Sequence, residues 1–278
     1  MQDLSDQTAD VQEPPSVLPD EGQITPSLGT RLWFAWFCLV TVLVTVPMSI
    51  IQIVSHQFWP TARNFKRWSG TWGRSIQRLL GISVVVEEQV HLDPEQPYVF
   101  VANHQNTLDI FTLAGYLPCP FGFVAKAELA RTPILGPTIR QSASIYIDRS
   151  DPRKSLASIQ EAGRRIREGT SVLIFAEGAR SYSSWLGPFK KGAFILAVEA
   201  AVPLVPVTLV NAYQFMDERH YAARPGTIRL LVGEPIPMAG KRRRDIPEVM
   251  DTVRAQMEQA LATHREELQR NAAVEKRL

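Results

Sequence analysis

From Leu32 to Ala62 the chain contains no Lys, Arg, Asp or Glu. The inner part of this run, LWFAWFCLVTVLVTVPMSIIQIV over Leu32–Val54, is long enough as a helix to cross a hydrocarbon layer of roughly 30 Å. A buried core helix seldom reaches that length, so membrane contact is predicted. Pro47 lacks the amide an uninterrupted helix needs, and is expected to kink the run or divide it into two shorter helices. Spanning the membrane and lying half-buried in one leaflet both fit, because a Pro-broken run permits a re-entrant pair. Trp33, Trp36, Trp59, Trp68 and Trp72 lie in or beside the run, and indoles favour the membrane–water interface. Arg63, Lys66, Arg67, Arg74 and Arg78 follow, with no acid before Glu87. By the positive-inside rule this downstream side is cytoplasmic.

The formal charge of +2 averages two unlike pieces. Residues 1–30 hold six acids and no base, which leaves 30 bases against 22 acids in the body. The acidic stretch is rich in Asp, Gln, Pro and Thr, has no aromatic residue, and reads as a disordered tail. The basic body points toward an anionic partner, either a membrane or a phosphorylated substrate. Two lone cysteines, Cys38 and Cys119, cannot staple a secreted scaffold or build a structural zinc site.

Beyond residue 80 the pattern changes to short apolar runs alternating with helical ones. Strands are predicted at Ser83–Val86, Tyr98–Ala102, Phe121–Ala125, Ser144–Ile147, Ser171–Ala176, Leu204–Leu209 and Thr227–Val232. Asp151-Pro152 reads as an N-cap followed by Pro at the first helical position, with Leu156, Ile159, Gly163 and Ile166 on one face and Gly169 closing the helix. Lys191–Ala201 reads as another helix. The expected fold is α/β, with a mixed, mostly parallel sheet covered by helices on both faces and preceded by membrane-associated helices. After Gly240 come four bases, Lys241 to Arg244, and then an amphipathic helix with Ile246, Val249, Met250, Val253, Met257 and Leu261 at helical spacing. The expected division is a tail over 1–30, a membrane-associated segment over 31–80, an α/β domain over 81–240 and a basic C-terminal helix over 241–278.

No Gly-x-Ser-x-Gly elbow, P-loop or Gly-x-Gly-x-x-Gly turn occurs. His56, His91, His220 and His264 are scattered, without metal-ligand spacing. His104 differs, because Asn103-His104-Gln105-Asn106-Thr107-Leu108-Asp109 directly follows a predicted strand. Residues five apart on one helix diverge by about 140°. With His104 on the loop and Asp109 in the first helical turn, the two side chains can converge at the carboxyl edge of a sheet, where α/β folds place their sites. The carboxylate would fix the imidazole tautomer and free the other nitrogen to take a proton from a hydroxyl. A second polar turn, Glu177-Gly178-Ala179-Arg180, ends another predicted strand. Gly178 permits a tight turn, and Arg180 offers a planar fork for phosphate. A base beside an anion clamp suits acyl transfer to a phosphate-bearing alcohol.

These residues resemble the glycerolipid acyltransferase family, specifically the bacterial 1-acyl-sn-glycerol-3-phosphate acyltransferases. Asn103-His104-x4-Asp109 resembles the family's first block, in its Gln-Asn variant. Lys126-Ala127-Glu128-Leu129, with Pro133 and Gly136, resembles the second, and Ile145–Arg149 the strand that follows it. Phe175–Ser181, then Pro188–Gly192, resembles the Phe-Pro-Glu-Gly-Thr-Arg-Ser block. Val202–Val207 resembles the fourth. The blocks stand in the family's order over about residues 80–235.

The resemblance implies the family's acyltransferase fold and direct attack without an acyl-enzyme. His104 would deprotonate the sn-2 hydroxyl of lysophosphatidic acid while Asp109 holds it. Acyl-CoA or acyl-carrier protein would be the co-substrate, with no cofactor, metal or nucleic acid involved. Asn103, Glu177, Gly178 and Arg180 would bind the glycerol phosphate, with Lys126 as a second cation. The implied location is the bacterial inner membrane, with the site facing the cytoplasm. Ala176 and Ala179 depart from the block's usual Pro and Thr. They leave open another lysophospholipid or glycerol 3-phosphate as acceptor, and a non-catalytic lipid-binding relative as the rival from another class.

Overall fold

In the computed structural model, residues 22–126, 135–141, 144–147 and 152–275 are described. All seven predicted strands are present: β1 (Ile82–Glu88), β2 (Val99–Ala102), β3 (Gly122–Lys126), β4 (Ile145–Ile147), β5 (Val172–Phe175), β6 (Leu204–Leu209) and, last in the chain, β9 (Gly226–Val232). They form one sheet in the order β1-β9-β6-β2-β5-β3-β4. Neighbours run parallel except β6 and β9, so β1 and β9 oppose the other five strands. Two short strands lacked any apolar period in the sequence: β7 (Met216–Asp217) and β8 (Ala222–Ala223) pair antiparallel as a separate hairpin.

Alternation along the central strand explains the layering. On β2, Phe100 and Ala102 join one buried cluster while Val99 and Val101 join the other. The first cluster packs against α1 (Leu28–Phe58), α2 (Ala62–Leu79) and α3 (Leu108–Tyr116). The second packs against α5 (Pro152–Arg167), α6 (Gly192–Ala200) and α7 (Ile246–Glu275), while α4 (Leu135–Gln141) lies between β3 and β4 in sequence. On α7, Ile246, Val249, Val253, Met257 and Leu261 are buried in this second cluster, so the helix's apolar stripe faces the sheet. Asp151 and residues 127–134 and 148–150, which include Glu128, Pro133 and Arg149, lie outside the described residues.

The apolar N-terminal run is one helix. α1 continues through Pro47 undivided and ends at Phe58, and the chain reverses through Trp59-Pro60-Thr61 into α2. Ser27 caps its start in a capping box with Thr30. One face of α1 leans on α2 through indole hydrogen bonds: Trp36 Nε1 donates to Leu79 O at 2.9 Å, Trp72 Nε1 to Thr45 Oγ1 at 2.9 Å and Trp68 Nε1 to Ser55 Oγ at 3.0 Å. Three of the tryptophans expected at the interface therefore give their indole N–H to a protein acceptor, Trp36 while itself exposed. The contacts from Trp36 to Ser55 run along about 28 Å of helix. The opposite face leaves Leu28, Leu32, Leu39, Leu43, Ile50, Val54 and Phe58 exposed.

α2 in turn lies close against α3. A Cβ on Gly73 would collide with Phe111 O and stand 2.9 Å from Gly115 N. Gln77 Nε2 donates to Thr112 Oγ1 at 2.6 Å. Lys66 Nζ donates to Ala114 O at 2.9 Å and Arg74 Nη1 to Gly115 O at 2.7 Å. Two cations thus satisfy the last carbonyls of α3, at the negative end of its dipole. Burial, with Arg74 beside it, pulls the Lys66 ammonium down to about 8. Gly73→Ala is expected to lower stability by about 1–3 kcal/mol through this backbone clash, read as a drop in the thermal unfolding midpoint. An unchanged midpoint would show that the α2–α3 approach is not tight.

Candidate active site

β2, β5 and β6 are adjacent and parallel, with Ala102 level with both Phe175 and Val207. The turns that follow β2 and β5 therefore emerge side by side at one edge. Main-chain bonds join them: Ala176 N donates to Ala102 O at 2.8 Å, Ser181 N to His104 O at 2.8 Å and Tyr182 N to Gln105 O at 3.0 Å. The first of these needs an amide proton at 176, which a proline would lack.

The turn after β2 folds around a carboxylate. Asp109, fully buried in the first turn of α3, accepts at Oδ2 from Gln105 N at 2.5 Å and Asn106 N at 3.0 Å, and His104 Nδ1 stands 2.8 Å away. The five-residue spacing is what lets the intervening amides close over the acid. Burial pushes the Asp109 carboxyl above its ordinary range, against the pull of His104 and the two amides. With Nδ1 directed at the carboxylate, the tautomer leaves Nε2 as the basic nitrogen. The imidazole side chain is 11% exposed and stacks on Phe175, with ring centroids 3.8 Å apart and planes at 13°.

A second buried carboxylate braces the first. Glu177 Oε1 accepts from His104 N at 2.9 Å and Oε2 from Gly187 N at 2.8 Å. Burial raises its pKa, opposed by those two amides. Gly187 is held from outside by α7: Arg254 donates to Gly187 O at 2.8 Å and Leu186 O at 3.0 Å, and Arg265 to Ser184 O at 2.7 Å. The Arg265 guanidinium also covers the Trp185 ring at 3.9 Å.

A family model described as Acyltransferase matches residues 83–210. Human 1-acyl-sn-glycerol-3-phosphate acyltransferase beta is 31% identical over 221 residues, 78% of each chain. The chain belongs to the 1-acyl-sn-glycerol-3-phosphate acyltransferase family. The family's alpha member from Ovis aries is 33% identical over 183 residues, 66% of this chain and 64% of the relative. The Saccharomyces cerevisiae member is 32% identical over 202 residues, 72% of this chain and 64% of its own length. The chain thus spans just under two thirds of these two relatives. A crystal structure of the 1-acyl-sn-glycerophosphate (LPA) acyltransferase PlsC from Thermotoga maritima shares the fold, with a TM-score of 0.71 over 84% of this chain and 96% of that one at 22% identity.

Placed on this family fold, the expected residues divide into two sets. His104 and Asp109 meet directly. Asn103 is committed to the scaffold: its Nδ2 donates to Leu209 O at 2.9 Å and its Oδ1 accepts from Leu209 N at 2.8 Å, tying the ends of β2 and β6. Glu177 is engaged by main chain, as described. Gly178 has φ +72°, which an L side chain rarely adopts. Arg180 reaches the same edge, 3.2 Å from Glu218. Lys126 ends β3, paired with Ile147, and its side chain lies outside the described residues. Among the described residues no group of three or more His, Cys, Asp and Glu could hold a metal ion.

Sequence reasoning missed the β7–β8 hairpin beside Arg180. Asp217 there pairs with Arg219 at 2.7 Å and His220 at 2.9 Å, and the Arg219 guanidinium covers the Tyr182 ring at 4.1 Å. Desolvation raises the Asp217 carboxyl, but the hydrogen bonds from Arg219 and His220 outweigh it and lower the pKa from 3.8 to about 2. A depressed carboxyl stabilises the fold above its unfolded pKa and loses that contribution as pH falls through the folded value. Asp217→Asn is therefore expected to be less stable than wild type at neutral pH, with the gap closing between about pH 4 and 2. Acid titration followed by circular dichroism checks this, and a gap constant with pH would refute it.

Proposed function

We propose that this chain transfers a fatty acyl group from acyl-CoA or acyl-carrier protein to the sn-2 hydroxyl of 1-acyl-sn-glycerol 3-phosphate, forming phosphatidic acid. The observation that carries this reading is the buried 2.8 Å contact of His104 Nδ1 with Asp109 in a chain of this family. His104 Nε2 takes the hydroxyl proton as the oxygen attacks the thioester carbonyl. The tetrahedral intermediate collapses with loss of the thiolate, which takes the proton back from the imidazolium. Asp109 keeps the imidazole in the required tautomer and stabilises its charge. Arg180 meets the acceptor phosphate, with Lys126 as the second cation, and Gly178 permits close approach of the main chain. Asn103 and Glu177 act by holding the strand ends and the His104 backbone in place. No cofactor takes part.

The reaction belongs at a membrane, in a bacterial cell the inner one with the site on the cytoplasmic side. α1 is long and apolar enough to cross a bilayer. Its other face leans on α2 from Trp36 to Ser55, which supports insertion along its exposed stripe. Arg63, Arg67, Arg74 and Arg78 are exposed on α2, where each would gain about 1 kcal/mol near anionic lipid.

His104→Ala is expected to reduce turnover about 10²–10⁴-fold, the usual worth of a positioned general base. Loss of a donor to buried Asp109 lowers the variant's thermal midpoint, but circular dichroism should show it still folded at the assay temperature. Product mass from a panel of lysolipid acceptors and thioester donors identifies the substrates. Full activity in His104→Ala, or no transfer to any lysolipid by wild type, would overturn the reading. The double variant Leu39→Glu, Leu43→Glu should lose at least about tenfold in co-sedimentation with anionic vesicles while keeping the wild-type midpoint, since a buried acid costs roughly 2.5–3.5 kcal/mol at mid-bilayer. Undiminished vesicle binding would remove α1 from the lipid contact.

A further inference from the structure

Arg180 has one ion-pair partner among the described residues, Glu218 at 3.2 Å. Glu218 follows β7 and lies beyond the 83–210 region that the family model covers. The same oxygen that meets Arg180, Oε1, accepts from Thr107 N at 3.0 Å and from Thr107 Oγ1 at 2.5 Å. Thr107 is the N-cap position of α3, and its own side chain caps nothing. Glu218 therefore takes over capping of the helix that carries Asp109 and, through the same atom, holds the guanidinium across the cleft. Its side chain is 18% exposed, and Oε2 is buried without a partner among the described residues. The grip on Arg180 thus passes through one oxygen, and among the described residues the remaining guanidinium N–H donors have no carboxylate.

We propose that Glu218 is a positioning residue for the acceptor's phosphomonoester, acting by holding Arg180 in its binding orientation before the substrate arrives. The proposal rests on the phosphate-binding role given to Arg180 above. A free arginine side chain samples many rotamers, and ordering it on binding weakens affinity. An arginine already held by Glu218 has given up that freedom in the empty site. The obvious objection is that Glu218, as an anion, would repel phosphate. Its charge, however, sits on the amide end of α3, where helix dipoles stabilise it, and is shared with Arg180. A neighbouring contact reinforces the hold: Arg219, the next residue, covers Tyr182, two positions after Arg180. The far side of the hairpin tip touches α1 through Tyr221 on Phe34, with centroids 5.7 Å apart. The hairpin thereby links the lipid-contacting helix, the cationic turn and the start of α3.

The test is a double-mutant cycle on the full chain in detergent micelles, titrating lysophosphatidate and, as control, lysophosphatidylcholine, which lacks the phosphomonoester. Glu218→Ala is expected to weaken lysophosphatidate binding about tenfold, the cost of ordering one or two rotamer-rich side chains. Arg180→Ala should weaken it at least as much, and the double variant should match Arg180→Ala alone. In turnover the loss should fall on the acceptor KM, with kcat and the donor KM within about threefold of wild type, and Glu218→Gln should recover part of it. Effects that add in the double variant, tighter binding by Glu218→Ala, or equal losses for both lysolipids would overturn the proposal. The binding cycle gives its answer without turnover. If wild type transfers no acyl group, the acyltransferase reading fails while the coupling of Glu218 to Arg180 is still measured.

Discussion

A carboxylate without access to water depends on donors brought to it, and Asp109 imposes that demand through one oxygen, Oδ2, while Oδ1 is buried with no partner among the described residues. Its Oδ2 gathers two main-chain amides and one imidazole. The loop from Gln105 to Leu108 is shaped to present them. The amides of Gln105 and Asn106 point inward because their side chains are anchored outward: Gln105 Nε2 donates to Ser183 O and Val210 O, and Asn106 Nδ2 to Ala212 O and Met216 O. α3 then has to begin at a fixed place. Its far end is set by Lys66 and Arg74 on its last carbonyls and by the glycine contact at Gly73. The α1–α2 hairpin and the buried acid that contacts His104 are thus two ends of one packed unit.

Glu177 answers a different problem. His104 leaves β2 on a loop, and a loop backbone free to move would carry the imidazole off its position. The bond from His104 N to Glu177 stops that, and it works because β2 and β5 are parallel neighbours in register. The stacking of His104 on Phe175 follows from the same register. The arrangement of His104, Asp109 and Glu177 is therefore a property of the sheet as much as of those side chains.

The sequence disclosed what has a period or a motif. Seven strands were legible from their β-branched runs, and the sheet's mostly parallel character from the helices between them. His104, Asp109, Glu177 and Arg180 were legible as polar turns at strand ends. Of the two outcomes expected at Pro47, division of the run does not occur, because tertiary contact along α1 carries the helix past a missing amide. Asn103 carried no local mark of its scaffold role, since its partner Leu209 lies far along the chain. Two-residue strands have no alternation to detect, so β7 and β8 were invisible, and with them Glu218. The tryptophans were ambiguous by composition; three donate hydrogen bonds within the α1–α2 hairpin, and one of these, Trp36, is still exposed.

α7 carries a consequence for how the molecule is made. Arg254 and Arg265 hold the main chain of residues 184–187, and Gly187 in turn holds Glu177. A nascent chain emerges from its N-terminus, so β2, β5 and the polar turns that follow them are all synthesised before the helix that secures them. The apolar α1–α2 hairpin is earlier still. The apolar hairpin is therefore made well before the helix whose arginines hold residues 184–187, and the edge that carries His104 and Glu177 gains those contacts only when the last helix docks.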